Sequence, residues 1–191
     1  MLRKLFCLMS VLILGASSIL YLGSQRVRAE QVTADDGVFV VDVAVDATTY
    51  MQIPVVGPPP ANDSLRGTTF IVNGKIFPAG TITGPGFNPQ QEGSIGDWVC
   101  RGVFTKDGAA MLPGVTEELD TTQMFLLPND AKAIWTEGFE GDQGVTEHRA
   151  VIGGTGEFHG ATGTVIQQTL IGLNSTGGPN SRFTFRLRKH E

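Results

Sequence analysis

Short segments of alternating apolar and polar residues constrain this chain more than any other feature. The clearest is RFTFRLRK (182–189), in which Phe183, Phe185 and Leu187 share one face and the residues between them are polar or cationic. Alternation with a period of two indicates a half-buried strand. Seven further segments rich in β-branched and aromatic residues also predict strands: 38–45, 67–77, 95–105, 121–127, 131–139, 145–152 and 160–171.

The connections between most of these segments are short and contain turn residues, as in 128–130 (PND), 141–144 (GDQG) and 177–180 (GGPN). Short connections favour antiparallel neighbours. The sequence therefore predicts an all-β chain folded as an eight-stranded antiparallel up-and-down, calycin-like barrel, whose interior can hold one small ligand. A two-sheet sandwich is the alternative.

Two connections, 54–66 and 83–94, are longer and rich in proline and glycine. Proline excludes regular strand pairing, so each segment either forms a rim or lid at one end of the barrel or is a plain surface connection.

The first 29 residues have the features of an export signal. Arg3 and Lys4 precede an apolar run at 5–23, and Val27-Arg28-Ala29 fits a cleavage site. We predict a signal peptide at 1–29 and a barrel domain at 30–191, secreted or periplasmic. An uncleaved membrane anchor at 5–23 is the alternative, since a span of about 30 Å needs about 20 apolar residues. Both place the domain outside the cytoplasm.

Charge limits the partners of the exported chain. The net charge of −5 becomes −9 once residues 1–29 leave, because that segment holds four basic residues and no acidic ones. Such a surface repels nucleic acid and anionic membranes. Cys7 leaves with the segment, and Cys100 alone cannot form an internal disulfide.

The usual catalytic and metal-binding patterns are missing from the sequence. His148, His159 and His190 lack metal-ligand spacing, and no G-x-S-x-G turn occurs, so we expect neither a metal nor a cofactor. Glu137, Glu140 and Asp142 cluster near one turn and are interpreted as a solvated rim.

The segment GGTGEFHGATG (153–163) holds five glycines between two predicted strands. A phosphate-binding loop would lead into a helix, but a strand follows here, which argues against a nucleotide site. Glycine also allows positive φ and sharp bends at barrel corners. We predict that residues 153–156 reverse the chain, that Phe158 turns inward as a plug, and that Gly160 and Gly163 permit the bend.

With the flanking AVI, TVIQQTL and SRFTFRL, this turn resembles the C-terminal signature of the allene oxide cyclase and dirigent superfamily. The resemblance covers about the last 45 residues. It implies an eight-stranded barrel with an apolar cavity, commonly a homodimer or homotrimer. Members either cyclise a reactive hydrophobic substrate or hold a radical for stereoselective coupling.

The resemblance also suggests site residues. Asp42 looks like the first-strand carboxylate of the plant cyclases, which stabilises positive charge in an opening epoxide, and Ala44 stands where those enzymes have an asparagine that helps bind a catalytic water. Asp42 on the solvent face of its strand is the alternative. Cys100 is similar to a cavity cysteine and shares a strand face with Trp98 and Phe104, although core packing is the alternative.

Trp98, Cys100, Phe104, Phe125 and Trp135 are the candidate ligand-binding residues, although a filled interior is the alternative. We expect an exported, dirigent-like barrel that binds a small hydrophobic molecule without a full catalytic set. The alternatives are an isomerase or cyclase of an oxidised lipid or polyketide-like substrate that uses Asp42, and a structural or surface protein with a packed core.

Overall fold

The computed structural model is a closed, eight-stranded antiparallel barrel and describes residues 37–53, 66–105, 119–127, 132–140 and 145–188. Each strand pairs with its neighbours in sequence, and the first pairs with the last. The strands are β1 (Val38–Ile53), β2 (Thr69–Pro78), β3 (Gly96–Phe104), β4 (Leu119–Leu127), β5 (Lys132–Glu140), β6 (Thr146–Gly154), β7 (Thr162–Leu173) and β8 (Pro179–Arg188).

The predicted barrel is thereby confirmed, and the sandwich is excluded because β1 and β8 are hydrogen-bonded to each other. The export segment at 1–29 and the connection at 54–65 lie outside the described residues. Within the described part of the chain, no helix has the length and apolar character needed to cross a membrane.

The strands define two ends of the barrel. Strands β1, β3, β5 and β7 finish at one end, here called the upper end. Strands β2, β4, β6 and β8 finish at the other, here called the lower end, where β1 begins. Because side chains alternate along each strand, every second residue faces the interior.

Strand β1 departs from simple alternation, since every residue from Val41 to Asp46 is buried. The cause is the β2–β3 connection, residues 79–95, here called the strap, which lies against the outer wall. Its Phe87 ring packs edge-on against Phe77 with centroids 5.0 Å apart, and Gln90 Nε2 donates to Asp46 Oδ2 at 2.7 Å. Of the two alternatives for residues 83–94, the structure agrees with a surface connection and not with a lid over one barrel end.

The glycine-rich turn between β6 and β7 closes the lower end. It contains a short 3₁₀ turn, Gly156–Phe158, and the Phe158 side chain is buried in the core against Phe39, with ring centroids 5.8 Å apart. Gly156 and Gly160 have φ values of 60° and 71°. A side chain at either position would be strained, which explains the glycines. The predicted inward plug is confirmed.

Candidate functional site

Four of the predicted site residues line the interior. Trp98, Cys100 and Phe104 lie on one face of β3, and Phe125 lies opposite Trp98 on β4. All four side chains are at most 7% exposed and belong to the main core cluster. Phe104 lies near the upper end, where its ring centroid is 5.7 Å from that of Phe70.

The structure does not bring Trp135 to the interior. Its β5 neighbours Ile134 and Thr136 are fully buried, and Ile134 belongs to the core cluster. Trp135 therefore faces outward, beside Met124 of β4. The sequence does not distinguish the two faces of β5, because large apolar residues occupy both.

Asp42 also lies away from the interior. Its fully buried carboxylate is on the outer wall beneath the strap, where it accepts hydrogen bonds from the backbone N–H groups of Gly80 (2.7 Å) and Ile82 (3.3 Å). Arg182 of β8 donates to the same carboxylate from Nε at 2.8 Å and Nη2 at 3.2 Å. Asp42 therefore points away from the interior but is buried. Its hydrogen bonds connect the strap to the pairing of β1 with β8.

Aromatic rings fill much of the lower and middle interior. Phe39 and Phe185 stack with centroids 4.3 Å apart and planes 4° apart. Phe125 contacts Phe183 at 5.0 Å and Phe185 at 4.9 Å, both edge to face. Offset and edge-to-face contacts of this kind stabilise aromatic clusters. This part of the interior therefore presents a rigid apolar wall.

Polar side chains gather on the opposite, upper part of the interior, in a group here called the interior polar cluster: Gln123, Glu140, Arg149 and Gln167. Gln123 Nε2 donates to Glu140 Oε1 and, at 3.0 Å, to Gln167 Oε1. Arg149 Nη1 donates to Glu140 Oε1 at 3.3 Å. The cluster thus connects β4, β5, β6 and β7 across the interior.

Arg149 is held by the barrel wall itself. Its Nη2 donates to the carbonyl oxygen of Thr121 at 2.6 Å, and its Nη1 donates to that of Gly138 at 3.2 Å. A Cβ atom at Gly138 would lie 3.3 Å from three atoms of Arg149, so glycine provides the space for this side chain across β5. The guanidinium therefore has a fixed position, and the Arg149 side chain is fully buried.

The electrostatics of the cluster are set by burial. The Glu140 side chain is 18% exposed, and burial raises the pKa of its carboxyl even though Arg149 and Gln123 favour the ionised form. Burial also lowers the pKa of Arg149 and raises that of the Cys100 thiol well above its ordinary value. A thiol held in its protonated form is a poor nucleophile, so Cys100 is not expected to react. Because burial raises its pKa, the Glu140 carboxyl keeps its proton to a higher pH than an exposed glutamate does.

Two buried polar atoms in this interior lack hydrogen-bond partners among the described residues, Gln123 Oε1 and Trp98 Nε1. Gln123 Nε2 faces two acceptor oxygens, whereas its Oε1 has no donor among the described residues. One acceptor and one donor therefore remain unpaired on neighbouring strands. Such groups are uncommon in folded proteins and call for a specific explanation.

Sequence reasoning missed this cluster. Glu140 is not part of a solvated rim, since its carboxylate lies against Gln123 and Arg149, whereas Glu137 is exposed as expected. Asp142 lies outside the described residues. Alternation along the strands could have indicated the cluster. Glu140 lies on the same face of β5 as the core residue Ile134, and Arg149 lies on the same face of β6 as the core residue Val151. Within the described ranges, no group of three His, Cys, Asp or Glu residues could hold a metal ion.

Comparison with solved structures identifies the architecture. Pyocyanin demethylase superposes with a TM-score of 0.51 at 16% identity, covering 79% of this chain and 99% of that protein. The pterocarpan synthase dirigent proteins PsPTS1 and GePTS1 superpose with TM-scores of 0.53 and 0.52, each at 11% identity and over 81% of this chain. They are covered over 95% and 86% of their own lengths.

The chain has the dirigent-type barrel fold. This agrees with the kinship suggested by the glycine turn, and at these identities it concerns the fold alone. No protein-family model matches the sequence, and no curated protein matches it either. The function of this dirigent-like barrel must therefore be argued from its own residues.

Proposed function

We propose that this dirigent-like barrel acts outside the cytoplasm and binds a small, largely apolar organic molecule in its interior. The observation that carries the proposal is the pair of buried, unpaired atoms Gln123 Oε1 and Trp98 Nε1. A ligand that carries one hydrogen-bond donor and one acceptor would pair both atoms and remove the cost of leaving them unsatisfied.

The surroundings of these atoms support an apolar ligand with few polar groups. Ligand pockets are mostly apolar and aromatic, with a small number of fixed polar side chains that set orientation. Phe125, directly opposite Trp98, provides aromatic surface, and the buried Arg149 provides a fixed charge. The structural neighbours are named for a demethylase and for pterocarpan synthases, which are activities on small organic molecules.

Substitution of Trp98 tests the unpaired indole N–H. We choose 1-naphthol as the probe, because it is a planar aromatic whose hydroxyl both donates and accepts. Trp98→Phe removes the unpaired indole N–H and keeps an aromatic ring, so we expect the affinity for 1-naphthol to fall about five- to tenfold, the effect of one hydrogen bond. Trp135→Phe, on the outer wall, is the matched control and should bind as tightly as the parent.

Native mass spectrometry of the purified protein provides the second readout, since a co-purified small molecule would be retained. If the parent binds no 1-naphthol and carries no such molecule, the interior is packed and the alternative of a structural or surface protein is preferred. Equal affinities for the parent and Trp98→Phe would also contradict the proposed site.

Isomerisation of the bound molecule is a second candidate, favoured by the raised pKa of Glu140. A carboxylic acid kept neutral can donate a proton to a bound substrate and accept one from another position of it. In this version Glu140, and not Asp42, performs the chemistry, because the Asp42 oxygens are occupied on the outer wall. The test is whether Glu140→Gln abolishes turnover of an isomerisable ligand and still binds it.

A further inference from the structure

A cavity of about 490 Å³ lies at the lower end of the barrel, where β1, β6, β7 and β8 meet. It is here called the lower-rim cavity. Its volume lies in the range of small-molecule pockets, about 300–1,000 Å³. None of its lining residues belongs to the interior polar cluster.

Two arginines on the outer face of β8 supply its charge. Arg186 lies directly opposite Thr164 of β7, and Arg188 lies opposite Thr162. All four are exposed and line the cavity. Over the described ranges, neither guanidinium makes an ion pair or hydrogen bond with the protein, whereas Arg182 on the same face is bonded to Asp42.

The remaining wall is apolar. Val38, which lies opposite Arg186 on β1, is 47% exposed at the cavity, and the half-buried Leu187 packs against the core. Val151, which is 5% exposed and part of the core, lines its inner side. The cavity lining thus combines cationic and hydroxyl groups with apolar surface.

We propose that the lower-rim cavity binds a free organic anion, with a carboxylate, sulfate or phosphate group on Arg186 and Arg188 and an apolar body on Val38 and Leu187. Guanidinium groups match such oxyanions with paired N–H donors, and the threonine hydroxyls add further donors. The proposal does not depend on the interior ligand. A chain with a net charge of −5 repels anions at long range, so binding requires this local pair of arginines.

Calorimetric titration with octyl sulfate below its micelle concentration tests this site. We expect octyl sulfate to bind at least tenfold more weakly to the double variant Arg186→Gln/Arg188→Gln than to the parent. Arg101→Gln, an exposed arginine on the outer face of β3, should change the affinity less than twofold. Thermal unfolding of each variant confirms that it is folded.

Further ligands distinguish the contribution of the charged group from that of the apolar chain, and one kind of acidic group from another. Inorganic sulfate should bind more weakly than octyl sulfate, and octyl glucoside, which is uncharged, should not compete. Octanoate and octyl phosphate show which acidic group is preferred. Trp98→Phe should leave octyl sulfate binding unchanged, which distinguishes this site from the interior one.

Three results would overturn the proposal: no octyl sulfate binding to the parent, equal binding to the double variant, or equal binding of octyl glucoside. Cosedimentation with phosphatidylglycerol vesicles that the double variant loses would also overturn it, since the ligand would then be a membrane surface and not a free molecule.

Discussion

Asp42 and Arg182 are 140 residues apart in the sequence and form two hydrogen bonds, at 2.8 and 3.2 Å, across the seam that closes the barrel. They are direct partners in the β1–β8 register. The same carboxylate binds two backbone N–H groups of the strap. One buried side chain therefore connects the first strand, the last strand and the longest described connection.

Removing this carboxylate should destabilise the fold. In Asp42→Ala, two backbone N–H groups of the strap lose their acceptor, and so does Arg182, whose side chain is 35% exposed and can turn to water. We expect the free energy of unfolding to fall by about 2–4 kcal/mol, chiefly through the two unpaired N–H groups. Urea unfolding measures this. Asp97→Asn breaks the exposed pair with Lys75 and should cost less than about 1 kcal/mol.

The ligand readout of the same variant separates a structural role from a catalytic one. Asp42→Ala that remains folded should bind 1-naphthol with unchanged affinity, because its carboxylate faces the strap. A folded variant that loses binding or turnover would show that Asp42 takes part in the active site.

The raised pKa of Glu140 predicts the direction in which the free energy of unfolding changes with pH. Burial raises this pKa above its ordinary value of 4.5, so the folded state holds the proton more tightly than the unfolded chain. The resulting stability is fully present below pH 4.5 and is lost as the pH rises through the folded pKa. The unfolding free energy of the parent relative to Glu140→Gln should therefore decrease across this window, by up to about 1.4 kcal/mol per pH unit.

Urea titrations at a series of pH values give this difference directly. Glu137→Gln, an exposed residue on the same strand, is the control and should show a nearly constant difference from the parent. A parent that gains stability relative to Glu140→Gln as the pH rises would show that the pairing with Arg149 outweighs burial.

The plug at the lower end can be tested by truncation. Phe158 is 2% exposed and packs against Phe39. Phe158→Ala should lower the unfolding free energy by about 3–5 kcal/mol, the usual cost of removing a buried ring. Phe139→Ala removes a ring that is 61% exposed and should change it by no more than about 0.5 kcal/mol. Similar losses in both variants would contradict the plug.

Asn174 should stabilise the upper end. Its Nδ2 donates to the carbonyl oxygen of Val45 at 2.7 Å, and its Oδ1 accepts from Thr176 and Gly178. Asn174→Ala leaves these buried groups unpaired and should cost about 1–3 kcal/mol in thermal or urea unfolding. The neighbouring exposed residue offers the control Ser175→Ala, with little change expected. Equal stabilities of the two variants would contradict the role of the Asn174 amide.

Local patterns were sufficient to predict the barrel. The last strand was predicted at 182–189 and observed at Pro179–Arg188, because alternation and turn residues are properties of neighbouring positions. The inward Phe158 was predictable for the same reason, since the glycines on either side determine where the chain turns.

The sites depend on long-range contacts, which local patterns do not contain. Asp42 could not be assigned a face, because the strap buries the outer wall and makes β1 apolar on both sides. Glu140 and Arg149 belong to different strands and meet only in the closed barrel. A single sequence therefore predicted the interior residues of β3 and missed the polar cluster opposite them.

The β1–β8 pairing also has a consequence for biosynthesis. Two strand edges stay unpaired until the final strand has been made, and exposed edges invite pairing with other chains. Assembly must wait for segments more than 130 residues apart to meet, a topology that slows folding. Nascent or truncated chains that lack β8 are therefore the species most at risk of aggregation.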